Sequence, residues 1–154
     1  MEYLLVKWIH ILSSTLLFGT GLGSAFYMYF ASRTRDPRVI AVVVRYVVIA
    51  DWAFTTPTVI LQPLSGFYLL DLLGYPLATR WVMWSVALFL VAGAAWLPVV
   101  WMQIRMRDMA AAAADANVGL PDSYWRYLKA WTALGIVAFT SLVAVFYLMV
   151  AKPA

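Results

Sequence analysis

The stretch LLVKWIHILSSTLLFGTGLGSAFYMYF, residues 4–30, decides the fold class. Its only basic side chains are Lys7 and His10, both near one end, and the apolar run beyond them, residues 11–30, supplies the 20 or so residues that carry a helix across a bilayer. The remainder of the 154-residue chain has the same character, with 65% hydrophobic and only 12% charged residues. Such a composition excludes a soluble globular enzyme and leaves too little polar sequence for a separate aqueous domain. No small-residue cleavage site follows the opening run, so it is read as a retained span and not as a removed signal peptide. The absence of cysteine excludes disulfides, thiolate catalysis and cysteine-held metals.

Hydropathy and breakers predict an all-α, four-helix transmembrane bundle forming one integral membrane domain over residues 1–154, with spans at about 4–30, 46–72, 81–103 and 124–151. The basic, proline-containing segment Arg33 to Arg38 closes the first span. Residues Val39 to Val44 read as an interfacial lead-in, set off from the second span by Arg45. That span is expected to kink at Pro57 and Pro63, because proline lacks an amide donor and displaces the carbonyl one turn back. The third span is expected to end at Arg105, Arg107 and Asp108, with the alanine-rich segment Met109 to Ala116 forming a short surface helix. Asp122 and Ser123 are cap candidates for the fourth.

Charge asymmetry sets the orientation. Arg33, Arg35, Arg38, Arg45, Arg105, Arg107, Arg126 and Lys129 lie on one side, and Lys7, Arg80 and Lys152 on the other. The positive-inside rule then puts both termini on the outer, periplasmic side of a bacterial inner (cytoplasmic) membrane crossed several times. This bias accounts for the net charge of +4, so the bilayer and no nucleic acid is the expected partner.

The polar residues inside the spans carry the functional reading. His10, on the face of Lys7 and Ser14, lies roughly 10 Å into its helix, and an ionisable group at that depth is costly to keep. Met83 and Met149 fall at similar depth, while Lys152, Arg80 and Asp71 ring the mouth above. Imidazole and thioether are ligands for haem iron or copper, and cations at the rim suit haem propionates. The alternative for His10 is a hydrogen bond to a neighbouring helix. A second set, Asp51, Thr55, Thr58, Gln62 and Gly66, recurs at helical spacing and is expected to face the bundle interior. Arg126, Arg45 and Gln103, in that order, are the expected partners of Asp51, in either a structural polar clamp or a proton relay. Gly19, Gly21 and Gly23 lie within lipid with no strand before them. They read as a helix-packing face open to a second copy of the chain, not as a phosphate loop.

Particular motifs resemble, essentially end to end, a group of bacterial integral membrane proteins classed as domain of unknown function 2269. They are Lys7-x-x-His10-Ile11 with Gly19 and Gly21-Leu22-Gly23-Ser24-Ala25; Ala50-Asp51-Trp52 leading to Thr55-Thr56-Pro57 and Leu61-Gln62-Pro63-Leu64-x-Gly66; Trp96-Leu97-Pro98-Val99-Val100-Trp101-x-Gln103-Ile104-Arg105; and Leu148-Met149-Val150-x-Lys152-Pro153. A sparser skeleton, Lys7, His10, Gly19, Arg45, Pro57, Gly66, Lys152 and Pro153, is similar to that of HemJ-type protoporphyrinogen oxidases, four-span proteins that bind haem b. This second resemblance implies that His10 is a haem ligand. The histidine which that pattern carries at the start of the third span is missing, since Trp81-Val82-Met83-Trp84 stands there, so bis-histidine ligation within one chain is excluded.

The sequence therefore supports a small membrane haem b protein with a redox role, an oxidoreductase acting on a porphyrin or quinone. In that reading His10 binds the metal, Met83, Met149 or a second copy's His10 stands opposite, and Lys7, Arg80 and Lys152 serve the propionates. The alternative is a cofactor-free membrane module: a small transporter, a copper-handling protein or an assembly partner.

Overall fold

A computed structural model describes residues 1–153 and contains five α-helices: α1 (Glu2–Arg33), α2 (Pro37–Ala50), α3 (Thr56–Leu72), α4 (Arg80–Asp115) and α5 (Asp122–Ala151). A five-residue π-helical turn, Asp51–Thr55, joins α2 to α3 without a break. The chain thus has four helical units long and apolar enough to cross a membrane, the second running continuously over Pro37–Leu72. Leu4, Leu64, Leu97 and Val150 all lie on the outer surface of the bundle. Such a surface suits lipid as the surrounding solvent, where the helix satisfies its own backbone.

Local chemistry sets the ends. Asp36 accepts a hydrogen bond from the Arg38 amide and Pro37 occupies the first turn, which together start α2. Gly74, at φ +66, makes the turn between α3 and α4. Asn117, at φ 55, follows the end of α4, a left-handed position that asparagine tolerates. The expected caps of α5 do not cap: the helix begins at Asp122 without a side-chain cap, and the Ser123 hydroxyl goes instead to Met109 Sδ at 3.3 Å.

Two expected boundaries are overturned. Val39 to Val44 is no interfacial lead-in, because Ile40, Val44, Val47 and Val48 form one buried stripe while Arg45 points away from it. Nor does α4 stop at its charges. Met102, Met106, Ala110 and Ala113 continue its buried face at steps of four, four and three, and the charges leave by other faces. Arg105 lies over the Trp101 ring at 5.5 Å and Arg107 pairs with Asp108 at 2.8 Å. Long basic side chains can turn to the aqueous edge without interrupting a helix. The alanine segment is therefore bundle core. Ala110, fully buried, sits in one cluster with Met28, Ile40, Met106, Tyr124 and Trp131. Ala110→Leu is expected to overpack this cluster and cost about 1–3 kcal/mol, read as a lower melting temperature in detergent; an unchanged value would return the segment to the surface.

That cluster fills the half of the bundle where α2 packs against α4 and α4 against α5. In the other half α3 packs on α1, and α1 hardly meets α4. The bundle is thus closed below the π turn and parted above it. Pro57 accounts for the turn: without an amide hydrogen it cannot close the bond to Ala53, and the Thr56 amide reaches back five residues to the Asp51 carbonyl.

Four crossings bring both ends of the chain to one side, and the charge count leads us to expect that side to be the outer one. A reporter fused at Ala116 is expected to be active only in the cytoplasm. One fused at the C-terminus should be active only outside, and a C-terminal reporter active only in the cytoplasm would reverse the orientation.

Candidate functional site

Two polar networks sit inside the bundle, one on each side of the π turn. The first ties α1 to α3. His10 Nδ1 lies 2.7 Å from the Ser65 hydroxyl, which also reaches the Leu61 carbonyl at 2.6 Å. Gln62 donates from Nε2 to the His10 carbonyl at 2.8 Å and to the Ser13 hydroxyl. Gly66 leaves the imidazole its space: a β-carbon there would lie 3.3 Å from His10 Cε1. Ser65, and not Gly66, is the last hydrogen-bonding member of this helical face.

Of the residues expected around a haem at His10, none makes a hydrogen bond to the imidazole, whose partner is Ser65. Lys7 and Arg80 are exposed, and Lys7 Nζ lies 5.5 Å over the Tyr3 ring. Lys152 is already engaged, with Nζ 5.4 Å over Tyr75 and 5.7 Å over Trp81, two rings packed edge to face. Met83 is half exposed on α4, the helix that hardly meets α1, and Met149 is partly buried on α5.

The second network joins the π turn to α4 and α5. Gln103 donates from Nε2 to Asp51 Oδ2, and Trp131 donates from Nε1 to Gln103 Oε1 at 3.1 Å. Arg126 and Arg45, ranked ahead of Gln103 from sequence, are both exposed and make no ion pair with Asp51. Their distance follows from helix direction, because long cationic side chains gain more by turning to water than by burial. Trp131 was missed from sequence, where an indole in a span reads as packing. It occurs seven residues, two turns, before Ala138 on the α5 face that lines the cavity described next.

Above this network α1, α4 and α5 enclose a cavity of about 460 Å³. Phe18, Phe89 and Phe139 contribute to its walls, and Asp51, Thr55, Trp96, Gln103 and Trp131 contribute polar groups from three helical units. Gly21, Gly93 and Gly135 border it, whereas Gly19 and Gly23 of α1 do not. Within the chain nothing comes within 4 Å of a β-carbon built at Gly19, Gly21 or Gly23, so they serve no helix contact among the described residues. Thr55 Oγ1 and Trp96 Nε1, both closed off from solvent, face the Asp51 carboxyl group, which also holds Gln103.

Among the described residues no group of three or more His, Cys, Asp or Glu side chains is placed to hold a metal ion. No curated protein and no solved structure matches the chain. Residues 4–153 match the family described as "Predicted integral membrane protein (DUF2269)", and the chain, with its four apolar helices, belongs to that family of integral membrane proteins.

Proposed function

We propose that this integral membrane protein binds haem b through His10 and serves a one-electron redox role in the bacterial inner membrane. The observation that carries the reading is the pairing of the imidazole. The Ser65 hydroxyl has one proton and three neighbours, the Leu61 carbonyl at 2.6 Å, the Gln62 carbonyl at 3.3 Å and His10 Nδ1 at 2.7 Å. Both carbonyls can only accept and the Leu61 contact is the shortest, so the better arrangement has Ser65 donating to Leu61 and Nδ1–H donating to Ser65. Nε2 then keeps its lone pair and a fixed direction, as an iron-binding imidazole requires. Lys7, one turn before His10, Arg80 and Lys152 are all exposed cations available to propionates, Lys7 and Lys152 each lying over aromatic rings. Haem supplies one-electron transfer; this chain supplies the oriented ligand and the apolar surroundings. A second axial ligand, and the quinone or other redox partner, come from outside the residues gathered at His10.

The test is the absorption spectrum of the full chain purified after expression with ample haem supply. A Soret band that His10→Ala abolishes, with the variant still inserted and monodisperse, is the expected result. Wild-type protein that is folded and carries no iron porphyrin overturns it. The second reading, a cofactor-free module such as a small transporter or an assembly partner, draws on Gln62. Its amide binds the His10 carbonyl and Ser13 together and ties α1 to α3 without the imidazole.

A further inference from the structure

The corner where α1 ends and α5 begins is pinned from the inside. The Ser32 hydroxyl lies 2.8 Å from the Tyr124 hydroxyl, both side chains fully buried, and the Trp125 ring meets Tyr124 edge to face at 5.3 Å. Outside this joint stand Arg33, one residue past Ser32, and Arg35, whose guanidinium lies 5.7 Å over the Trp125 ring. Arg126 and Lys129 of α5 follow Trp125, and all four cations are exposed. We infer that this corner binds the head group of an anionic phospholipid without an amine, of the phosphatidylglycerol type, in the leaflet facing the α1–α2 and α4–α5 loops.

Charge specifies an anion. Residues 32–36 and 122–129 carry these four cations against two carboxylates, Asp36 and Asp122. Asp36 accepts the Arg38 amide at the start of α2. Asp122, one turn before Arg126, forms no ion pair with it, since among the described residues the one ion pair is Arg107 with Asp108. Two other loop cations are turned elsewhere. Arg38 reaches the Asn117 side chain at 3.2 Å, and Arg105 lies over Trp101, whose ring packs on Tyr127. Tyr127 stands two residues after Trp125, and so on the opposite side of α5 at 3.6 residues per turn. Guanidinium groups match phosphate oxygens in geometry as well as charge. A choline or ethanolamine head group would bring its own cation into this positive corner, whereas a glycerol head group brings hydroxyls.

Depth specifies a lipid. Lys129 lies seven positions into α5, about 10 Å along the axis from Asp122. Trp125, one turn before it, is the kind of residue that marks a membrane interface. A lysine at that level turns its ammonium to the phosphates of the leaflet, below the reach of a soluble acidic protein. On the bilayer side Phe30 of α1 and Ile136 of α5 are more than half exposed and offer acyl chains an apolar surface.

The test is native mass spectrometry of the delipidated full chain in detergent, titrated with phosphatidylglycerol or phosphatidylcholine of the same acyl chains. Wild type is expected to bind its first phosphatidylglycerol about tenfold more tightly than phosphatidylcholine. Arg35→Gln and Lys129→Gln, both at exposed positions, should each weaken phosphatidylglycerol about fivefold and leave phosphatidylcholine binding and the melting temperature unchanged. Arg105→Gln removes the same charge on the other side of α5 and should bind like wild type. Three results would overturn the inference: no preference between the two lipids; Arg105→Gln losing as much as Arg35→Gln, as for a diffuse field of the basic loops; or a soluble polyglutamate peptide binding more tightly than the phospholipid, which would give the corner to an acidic protein segment. The corner lies at the other end of α1 from His10, so the outcome is independent of the haem reading.

Discussion

Gln103→Leu is expected to lower the melting temperature in detergent more than any other substitution of a polar side chain in the bundle. The amide is the single connection between Asp51 on the π turn and Trp131 on α5. An isosteric apolar replacement strands two buried groups at once, the carboxyl oxygen that accepted from Nε2 and the indole N–H that donated to Oε1. Each buried group left without its partner costs about 1–3 kcal/mol, more where it is charged, a large share of the roughly 5–15 kcal/mol by which a domain is stable. Asp51→Asn keeps an oxygen for Gln103 and should cost under about 1.5 kcal/mol. Arg126→Ala and Arg45→Ala, at exposed positions, should stay within about 0.5 kcal/mol. The four melting curves together assign the partner of Asp51. If Arg126→Ala matched Gln103→Leu, the charge on Asp51 would be neutralised by the cation and not by the amide.

Ser65→Ala carries the second large effect, on the state of His10. Without the hydroxyl, Nδ1 has no acceptor, the ring is free to turn, and either nitrogen can carry the proton. Loss of such an orienting partner typically weakens a metal site 10- to 100-fold, so the variant should need correspondingly more haem to reach half occupancy, or lose it during purification. Gly66→Val should act on the same ring by a different route. A β-carbon at that position already lies 3.3 Å from His10 Cε1, and a branched side chain must displace the imidazole. Ser65→Thr restores the hydroxyl and is expected to recover binding, which mere loss of packing would not explain. Haem occupancy unchanged in Ser65→Ala and Gly66→Val alike would remove His10 as the ligand.

The membrane class, the number of spans and the inward face of the second span are properties of composition and period, and they are legible in residues 4–30 and in the spacing of Asp51, Thr55, Thr58 and Gln62. Both follow from local physics: apolar length decides spanning, and a repeat near 3.6 decides which side chains share a face. Helix ends were less legible. Arg45, Arg105, Arg107 and Asp108 look like boundaries in a hydropathy trace, yet the helices continue past them, since a charged side chain needs only one exposed face. The tertiary structure alone decided the partners. Sequence ranks Arg126 and Arg45 above Gln103 for Asp51 because charge attracts charge, but the choice depends on the rotation of α4 and α5 about their axes, and that is set by the packing of Met102, Met106, Ala110 and Trp131. The approach of Ser65 and Gly66 to His10, and of Thr55 and Trp96 to Asp51, have the same origin. Each depends on a fraction of a helical turn, which the π turn before Pro57 and the contacts between helices fix, and which no periodicity within a single helix encodes.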